Sequence, residues 1–379
     1  MSYFKAVMKV FKVFLESLSS LYVNIKYRFF GGGDQKTYLF VPINGAGLGH
    51  LTRSLAIAKA VRASDPNAKI VFLTTSIGIT LVHREGFLCH HLPPFSLTGE
   101  GVSTRKWNNL FFKTLVNVLK LHHPSTVVFD GSSPYLGFRS VMRSYKQLRY
   151  IWIKRESYKN NVNRGRLKKL AGLFSLVIHP TEVYSVFCEN EFGSSYVNPI
   201  VLLEKEQLFT REKARKLLGL PLNETVAYIQ LGAGNINGTD ELESKVISLL
   251  KKKGIYTVLA RSPISLKEDC GIEADKLMEG YPNSKYFNGF DFLVIAAGYN
   301  SICEAFFYGI PSIVIPNFET GTDDQVMRAK SVEPLGPFWT LENYTDDNFK
   351  IILENIYKYN GGGLTIVNGA HQAAKLLID

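Results

Sequence analysis

Asp291-Phe-Leu-Val-Ile-Ala-Ala-Gly-Tyr-Asn-Ser-Ile-Cys-Glu-Ala-Phe-Phe-Tyr-Gly-Ile-Pro-Ser-Ile-Val-Ile-Pro316 sets the reading of the whole chain. An apolar run from Phe292 to Ala297 ends at Gly298. A polar turn follows, then a helical pattern carrying Glu304, stopped by Gly309 and Pro311, and a second apolar run at Ile313 to Ile315. This predicts a strand–turn–helix–strand unit, the building block of a parallel α/β sheet. Gly298 allows close backbone approach, and free N–H groups at the helix start suit a diphosphate. Glu304, one turn further in, is placed to accept hydrogen bonds from two ribose hydroxyls.

Upstream, residues 225–231 read as a strand running into Gly232-Ala-Gly-Asn-Ile-Asn-Gly238, a second N–H-rich turn that includes Gly234 and Asn235. A helix over 240–252 and a strand over 256–260 follow. Downstream, residues 317–328 place Asp323, Asp324 and Gln325 between a strand end and a helix. Short polar side chains there can read sugar hydroxyls. Either aspartate also fits a helix N-cap, which Gln325 fits poorly.

The N-terminal half repeats the alternation. Residues 38–43 form an apolar strand, 44–49 a glycine-rich turn, and 50–62 a helix with Leu51, Leu55, Ala58 and Val61 on one face. Further strands are expected at 69–73, 125–129, 149–153 and 176–179, the second of these ending at the Asp130-Gly-Ser-Ser-Pro134 turn. Strands separated by helices predict a doubly wound sheet. The domain divisions expected are 1–33, an amphipathic membrane-associating helix and glycine joint; 37–197, an acceptor-binding domain; 198–345, a nucleotide-sugar-binding domain; and 346–379, C-terminal helices. Asn198-Pro199-Ile200 marks the linker.

Gly45-Ala-Gly47-Leu-Gly49-His50 departs from a dinucleotide fingerprint, which needs glycine where His50 stands. No acidic residue closes the next strand at Leu73-Thr74-Thr75 to read a ribose. NAD and FAD are therefore set aside. What remains is a turn, with Gly47 and Gly49, that lifts His50 to a helix start at the carboxyl end of the first strand, where ligands bind in open α/β sheets. A helix N-terminus disfavours imidazolium, so His50 is expected neutral and able to accept a proton. Arg53 shares its face and either holds an anionic acceptor group or pairs with an acid. Asp130 orients His50 or an acceptor hydroxyl, or caps the following turn; capping is the preferred reading.

The chain has 379 residues, 46% apolar and 20% charged, which marks it as globular rather than disordered. Cys89, Cys188, Cys270 and Cys303 have no metal-ligand spacing, so no metal site is expected and they read as buried thiols. The net charge of +11 is unevenly placed. Residues 1–195 hold 26 Lys+Arg against 10 Asp+Glu, and residues 196–379 hold 18 against 23. A basic half faces an anionic surface. No nucleic-acid-binding signature is present, so an anionic membrane is preferred to nucleic acid. The basic run Lys154, Arg155, Lys159, Arg164, Arg166, Lys168 and Lys169 reads equally as a solvated face or as a patch for a phosphate-bearing acceptor or lipid.

Residues 3–30 predict an amphipathic helix. Lys5, Lys9, Lys12 and Glu16 form a polar stripe, with Phe4, Met8, Phe11, Leu15 and Leu18 opposite. The longest uncharged stretch, 17–25, is far short of the roughly 20 residues a spanning helix needs. An in-plane anchor on a membrane surface is expected, with Gly31-Gly32-Gly33 as a joint.

Three motifs now agree in order: Gly-x-Gly-x-Gly-His at 45–50, Leu-Gly-Ala-Gly at 231–234, and Ala-Gly-Tyr-Asn-Ser-Ile-Cys-Glu-Ala…Gly-Ile-Pro…Ile-Pro-Asn…Asp-Asp-Gln…Arg-Ala at 297–329. Over residues 38–345 the chain resembles the GT-B nucleotide-sugar glycosyltransferases. It is most similar to the group that includes the N-acetylglucosaminyltransferase of peptidoglycan lipid II synthesis and plant galactolipid synthases. The resemblance implies two Rossmann-like domains facing across a cleft and an inverting transfer that needs no metal and no cofactor. The C-terminal domain would hold the UDP-sugar and the N-terminal domain a lipid-linked or glycan acceptor, on the cytoplasmic face of the membrane. By this resemblance His50 is the general base, and Gly47, Gly49, Arg53 and Asp130 lie on the acceptor side. The donor side takes Gly232, Gly234, Asn235, Gly298, Tyr299, Asn300, Ser301, Glu304, Asp324 and Gln325.

Two departures limit this. Asp324 stands where the lipid II enzyme has a second glutamine, so the donor sugar does not carry over. His50-Leu-Thr-Arg53 also resembles the Gly-His-x-x-Arg of a nucleotide-sugar hydrolase of bacterial nonulosonic acid synthesis. Hydrolysis is therefore the runner-up, with a non-catalytic UDP-sugar-binding subunit as a third class.

Overall fold

The computed structural model describes residues 35–43, 47–155, 159, 163–184, 194–232, 240–265, 273–320, 323–359 and 366–379. The expected helix at 3–30 and its glycine joint, with Gly45, Gly234 and Asn235, lie outside the described residues.

The first domain is a seven-stranded parallel sheet ordered β3-β2-β1-β4-β5-β6-β7. Its strands are β1 (Thr37–Pro42), β2 (Lys69–Thr74), β3 (Leu88–His91), β4 (Thr126–Asp130), β5 (Arg149–Ile153), β6 (Leu176–Pro180) and β7 (Ser195–Val197). β1 and β4 are buried along their whole length, which is why they read as unbroken apolar runs. One face lies under α1 (Gly49–Ser64) and α2 (Ile79–Arg84). The other lies under α3 (Thr104–His122), α4 (Leu136–Ser144) and α5 (Arg164–Ala171).

The second domain is a six-stranded parallel sheet ordered β10-β9-β8-β11-β12-β13. Its strands are β8 (Val226–Gln230), β9 (Tyr256–Arg261), β10 (Lys276–Glu279), β11 (Phe292–Ala296), β12 (Ser312–Ile315) and β13 (Phe338–Thr340). Its described helices are α6 (Arg211–Leu218), α7 (Asp240–Lys252), α8 (Tyr299–Tyr308), α9 (Gln325–Val332) and α10 (Asp346–Lys358). The expected unit at 291–316 is therefore β11–α8–β12.

The tail divides between the domains. Phe349, Ile352, Leu353 and Ile356 of α10 join a core under the second sheet. The last helix, α11 (Gly369–Ile378), crosses back and packs Ala370, Ala373, Ala374 and Leu377 into the first domain's core against α1. Gly369 makes that crossing possible, because a Cβ there would lie 1.9 Å from the Asn198 carbonyl oxygen in the linker. Asn368 fixes the linker from the same point: its Oδ1 accepts from Val201 N (3.2 Å) and its Nδ2 donates to Val201 O (3.1 Å).

Each sheet reverses its strand order once, between β1 and β4 and between β8 and β11. The crevice at such a switch point is where open α/β sheets bind ligands. The two crevices face each other. No helix among the described residues is long and apolar enough to cross a membrane.

Candidate active site

A cleft of about 630 Å³ lies between the sheets, within the ~300–1,000 Å³ range of small-ligand sites. The N-terminal ends of α1 and α8 both open into it, and they touch: Asn300 Nδ2 donates to the Gly49 carbonyl (3.3 Å). The Tyr281 hydroxyl donates to Thr52 Oγ1 (2.9 Å) beside this contact. Two helix N-termini converging on one space make it favourable for an anion.

On the N-terminal wall, β1 delivers His50 and β4 delivers Asp130. Pro42 and Asp130 are paired neighbours across the switch point, which puts the end of β1 and Asp130 on the same sheet edge. His50 Nδ1 lies 2.6 Å from Asp130 Oδ1. Arg53, one turn along α1, grips the same carboxylate with Nε on Oδ2 (2.9 Å) and Nη2 on Oδ1. Asp130 is fully buried, and Ser54 Oγ donates to it at 3.4 Å. The preferred reading of Asp130 as a turn cap is thus overturned: its carboxylate is spent on His50 and Arg53. Of the two readings of Arg53, the geometry takes the acid pair.

Burial lowers the proton affinity of His50, Asp130 pushes it back up, and Arg53 and Arg155 push it down again; the net direction is below 6.5. Burial alone would raise Asp130, but Arg53 and His50 hold it below the usual carboxylate range. Arg53 Nη2 also lies 3.0 Å from Nδ1, but the Asp130 contact is shorter and favours the tautomer with the proton on Nδ1, which leaves Nε2 as the basic atom.

On the C-terminal wall, Gly232, Gly298, Asn300, Ser301, Glu304 and Gln325 line the cleft. Among the described residues, no atom beyond its chain neighbours lies within 4 Å of a Cβ built on Gly232, and Ser301 Oγ (3.8 Å) is the contact of one built on Gly298. The room beside these glycines belongs to the cleft. Glu304 accepts from the Ser284 hydroxyl at 3.1 Å, and burial pushes its carboxyl up to about 7. The Gln325 side chain accepts from Asn317 N (3.1 Å), leaving its amide nitrogen as a donor.

Two donor-side expectations need correction. The Asp324 carboxylate caps α9, accepting from Met327 N at 2.9 Å, and the residue does not line the cleft. Asp323 lines it instead. The Tyr299 hydroxyl donates to Thr181 O (3.1 Å) and accepts from Ile200 N (3.3 Å), so it anchors α8 to the other domain and the linker. Its hydroxyl is thus spent, and the residue lines the cleft without it.

The basic run splits. Arg155 Nη1 donates to Asp323 Oδ1 (3.0 Å) and Lys159 Nζ to Phe318 O (3.1 Å), both across the domain boundary. Arg164, Arg166, Lys168 and Lys169 lie exposed at α5, the solvated face. Behind Asp323 sits a group that sequence reading missed. Arg328, fully buried, meets both oxygens of Glu182 at 2.8 Å and Asp323 Oδ1 at 2.7 Å, and donates to the Ala297 carbonyl (2.8 Å). Burial raises the Asp323 carboxyl, but Arg155 and Arg328 more than offset it and hold it at about 2. The segment after β10, with Tyr281, Asn283 and Ser284, was also missed. The Pro282 turn at a strand's carboxyl end was the available signal.

No model of a known protein family matches the chain. By sequence it is similar to UDP-N-acetylglucosamine–N-acetylmuramyl-(pentapeptide) pyrophosphoryl-undecaprenol N-acetylglucosamine transferases. The one from Rhodococcus erythropolis is 24% identical over 326 residues, 79% of this chain and 81% of that protein. The one from Acetivibrio thermocellus is 25% identical over 320 residues, 78% and 83%. By structure it is similar to MurG of Acinetobacter baumannii, with a TM-score of 0.57 at 11% identity, covering 90% of this chain and 99% of that one. It is equally similar to the spinosyn rhamnosyltransferase SpnG complexed with thymidine diphosphate, with a TM-score of 0.57 at 14% identity, covering 90% and 95%. The fold is GT-B, and the chain is related to the lipid II N-acetylglucosaminyltransferases.

Proposed function

We propose that this chain is an inverting, metal-independent glycosyltransferase that moves a hexose or N-acetylhexosamine from a UDP-sugar to a hydroxyl of a lipid-linked acceptor. N-acetylglucosamine is the sugar in the relatives' names, and undecaprenyl pyrophosphate carries their acceptor. The observation that carries the reading is the opposition of two walls. A histidine base locked by Asp130 faces, across one cleft, a carboxylate and glycine turns suited to a nucleoside diphosphate.

In the proposed reaction His50 Nε2 takes the acceptor hydroxyl proton as the oxygen attacks the anomeric carbon. The bond from that carbon to the diphosphate breaks, its electron pair leaves with UDP, and configuration inverts. Glu304 holds the ribose hydroxyls. N–H groups at the start of α8 stabilise the leaving diphosphate. Gln325 contacts the sugar. The protein would work at the cytoplasmic face of the membrane, with residues 3–30 lying in an anionic surface.

The test is UDP release from UDP-sugars with and without membrane lipid extract. Release that requires the lipid supports transfer. Release indifferent to it would make the chain a hydrolase, and UDP-sugar binding without any release would make it a non-catalytic subunit.

A further inference from the structure

Arg155 is a cation at the cleft that neither holds His50 nor fits the donor contacts of Glu304. It follows β5 on the N-terminal wall, and its side chain is 22% exposed, toward the cleft. Its guanidinium carbon lies 5.7 Å from the centre of the Tyr299 ring, at the first turn of α8. Its bond is to Asp323 of the opposite wall.

That bond ends a chain of alternating charge: Arg155, Asp323, Arg328, Glu182. The four charges sum to zero. Arg328 and Glu182 are buried, so displacing either strands its partner in a low dielectric. Arg155 is different. When it turns away, Asp323 keeps Arg328 on both oxygens, at 2.7 and 3.2 Å, and no carboxylate is left alone. Of the four, Arg155 is the most exposed, and its departure leaves Asp323 still paired. The space it faces is also where the N-termini of α1 and α8 converge, so an anion entering there meets two helix ends and one releasable guanidinium.

We propose that Arg155 exchanges Asp323 for the diphosphate of the donor, and so brings positive charge from the acceptor-side domain to the departing UDP. This rests on the UDP-sugar reading above. No proton moves in this step: Arg155 donates hydrogen bonds to non-bridging phosphate oxygens while the electron pair of the broken sugar–oxygen bond settles on the diphosphate. Because Arg155 and α8 belong to different domains, the exchange passes the tie between the domains from Asp323 to the bound donor.

The experiment compares binding of UDP and of uridine, by NMR titration and calorimetry, to wild type, Arg155→Gln, Arg155→Lys and Asp323→Asn, with turnover measured alongside. Arg155→Gln should weaken UDP binding by about 10- to 100-fold, the scale of a charge-assisted hydrogen bond, and lower kcat. Uridine affinity should stay unchanged, which also shows that the site is folded. Arg155→Lys should recover part of the loss. Asp323→Asn frees Arg155 while its side-chain carbonyl still accepts from Arg328; with a wild-type melting temperature to show that Arg328 stays in place, UDP binding should be equal or tighter. UDP affinity unaltered in Arg155→Gln would overturn the proposal. So would a matching loss in Asp323→Asn, which would reduce Arg155 to a tie between domains. A wild type that binds no UDP would instead remove the UDP-sugar reading itself.

Discussion

His50 Nδ1 sits 2.6 Å from Asp130 Oδ1, and the two residues reach each other from the strands on either side of the first sheet's switch point. Arg53 holds the far oxygen of the same carboxylate. The imidazole is therefore held in orientation before any acceptor arrives, and the short Asp130 contact favours a proton on Nδ1. Its protonation is a balance: burial favours the neutral ring most, Asp130 opposes it, and Arg53 and Arg155 add to the effect of burial.

His50→Ala should cut turnover by ~10² to 10⁴, the usual contribution of general-base catalysis. UDP affinity should hardly change, because Glu304 and the glycine turns stand on the other wall. Steady-state rates and calorimetry on one preparation check both halves. Near-normal turnover would take His50 out of the mechanism.

The pH profile follows from the direction of the His50 shift. The base must be neutral, and burial holds its folded pKa below 6.5. With the donor saturating, so that the Glu304 ionisation at about 7 does not enter, the acid limb owed to His50 should lie below pH 6.5. Asp130→Asn removes the charge that raises His50, so the limb should move further toward acid. It also loses the tautomer lock, so turnover should drop by up to about 10⁴. A limb displaced toward alkali in this variant would contradict the assignment.

Glu304→Ala should weaken UDP binding by ~1.5–3 kcal/mol, the scale of hydrogen bonds to a charged group. The wild-type carboxyl ionises at about 7 because it is buried. Only the ionised form accepts from both ribose hydroxyls, so UDP should bind more tightly as pH rises through about 7. UDP has its own phosphate ionisation at ~6, which Glu304→Gln retains. The pH dependence that disappears in Glu304→Gln is the part owed to Glu304. Identical curves for the two proteins would remove Glu304 from nucleotide binding.

Much of this was legible because local rules decide it. Apolar runs ending in glycine predict β1, β8 and β11, and strand-end logic places His50, Gly232, Gly298 and Glu304 in the cleft. What failed was long-range pairing. Nothing local says whether Asp130 caps its own turn or reaches back to residues 50 and 53. The match is set by the register of β1 on β4. Tyr299 entered the donor side through the resemblance, and Asp324 read as either a sugar contact or an N-cap. Their polar groups were taken by the linker and by a cap. Arg328 and Glu182 were invisible as a pair, since 146 residues separate them.

Residues 1–33 carry a separate expectation. If 3–30 lies in the membrane surface, Lys5, Lys9 and Lys12 each add roughly 1 kcal/mol of attraction that salt weakens, while the apolar face persists. Deleting 1–33 should release the protein from anionic liposomes and slow transfer to a lipid-borne acceptor. UDP binding should survive. Loss of UDP binding would show that this segment belongs to the folded domain.

Arg328→Met tests whether the buried charge chain couples stability to the donor site. Arg328 and Glu182 are almost wholly buried, so removing the guanidinium strands the Glu182 carboxylate, at a cost of ~3–5 kcal/mol. The melting temperature should fall. Adding Glu182→Gln should recover part of it, because the stranded charge is then gone. The second effect is local. Arg328 Nη1 donates to the carbonyl of Ala297, which precedes Gly298 at the start of α8. Without it the turn facing the diphosphate loses its support, and UDP affinity should fall even in the double variant. A double variant that regains both stability and UDP affinity would mean the carbonyl contact does not position the turn. A single variant as stable as wild type would mean the charge chain is dispensable.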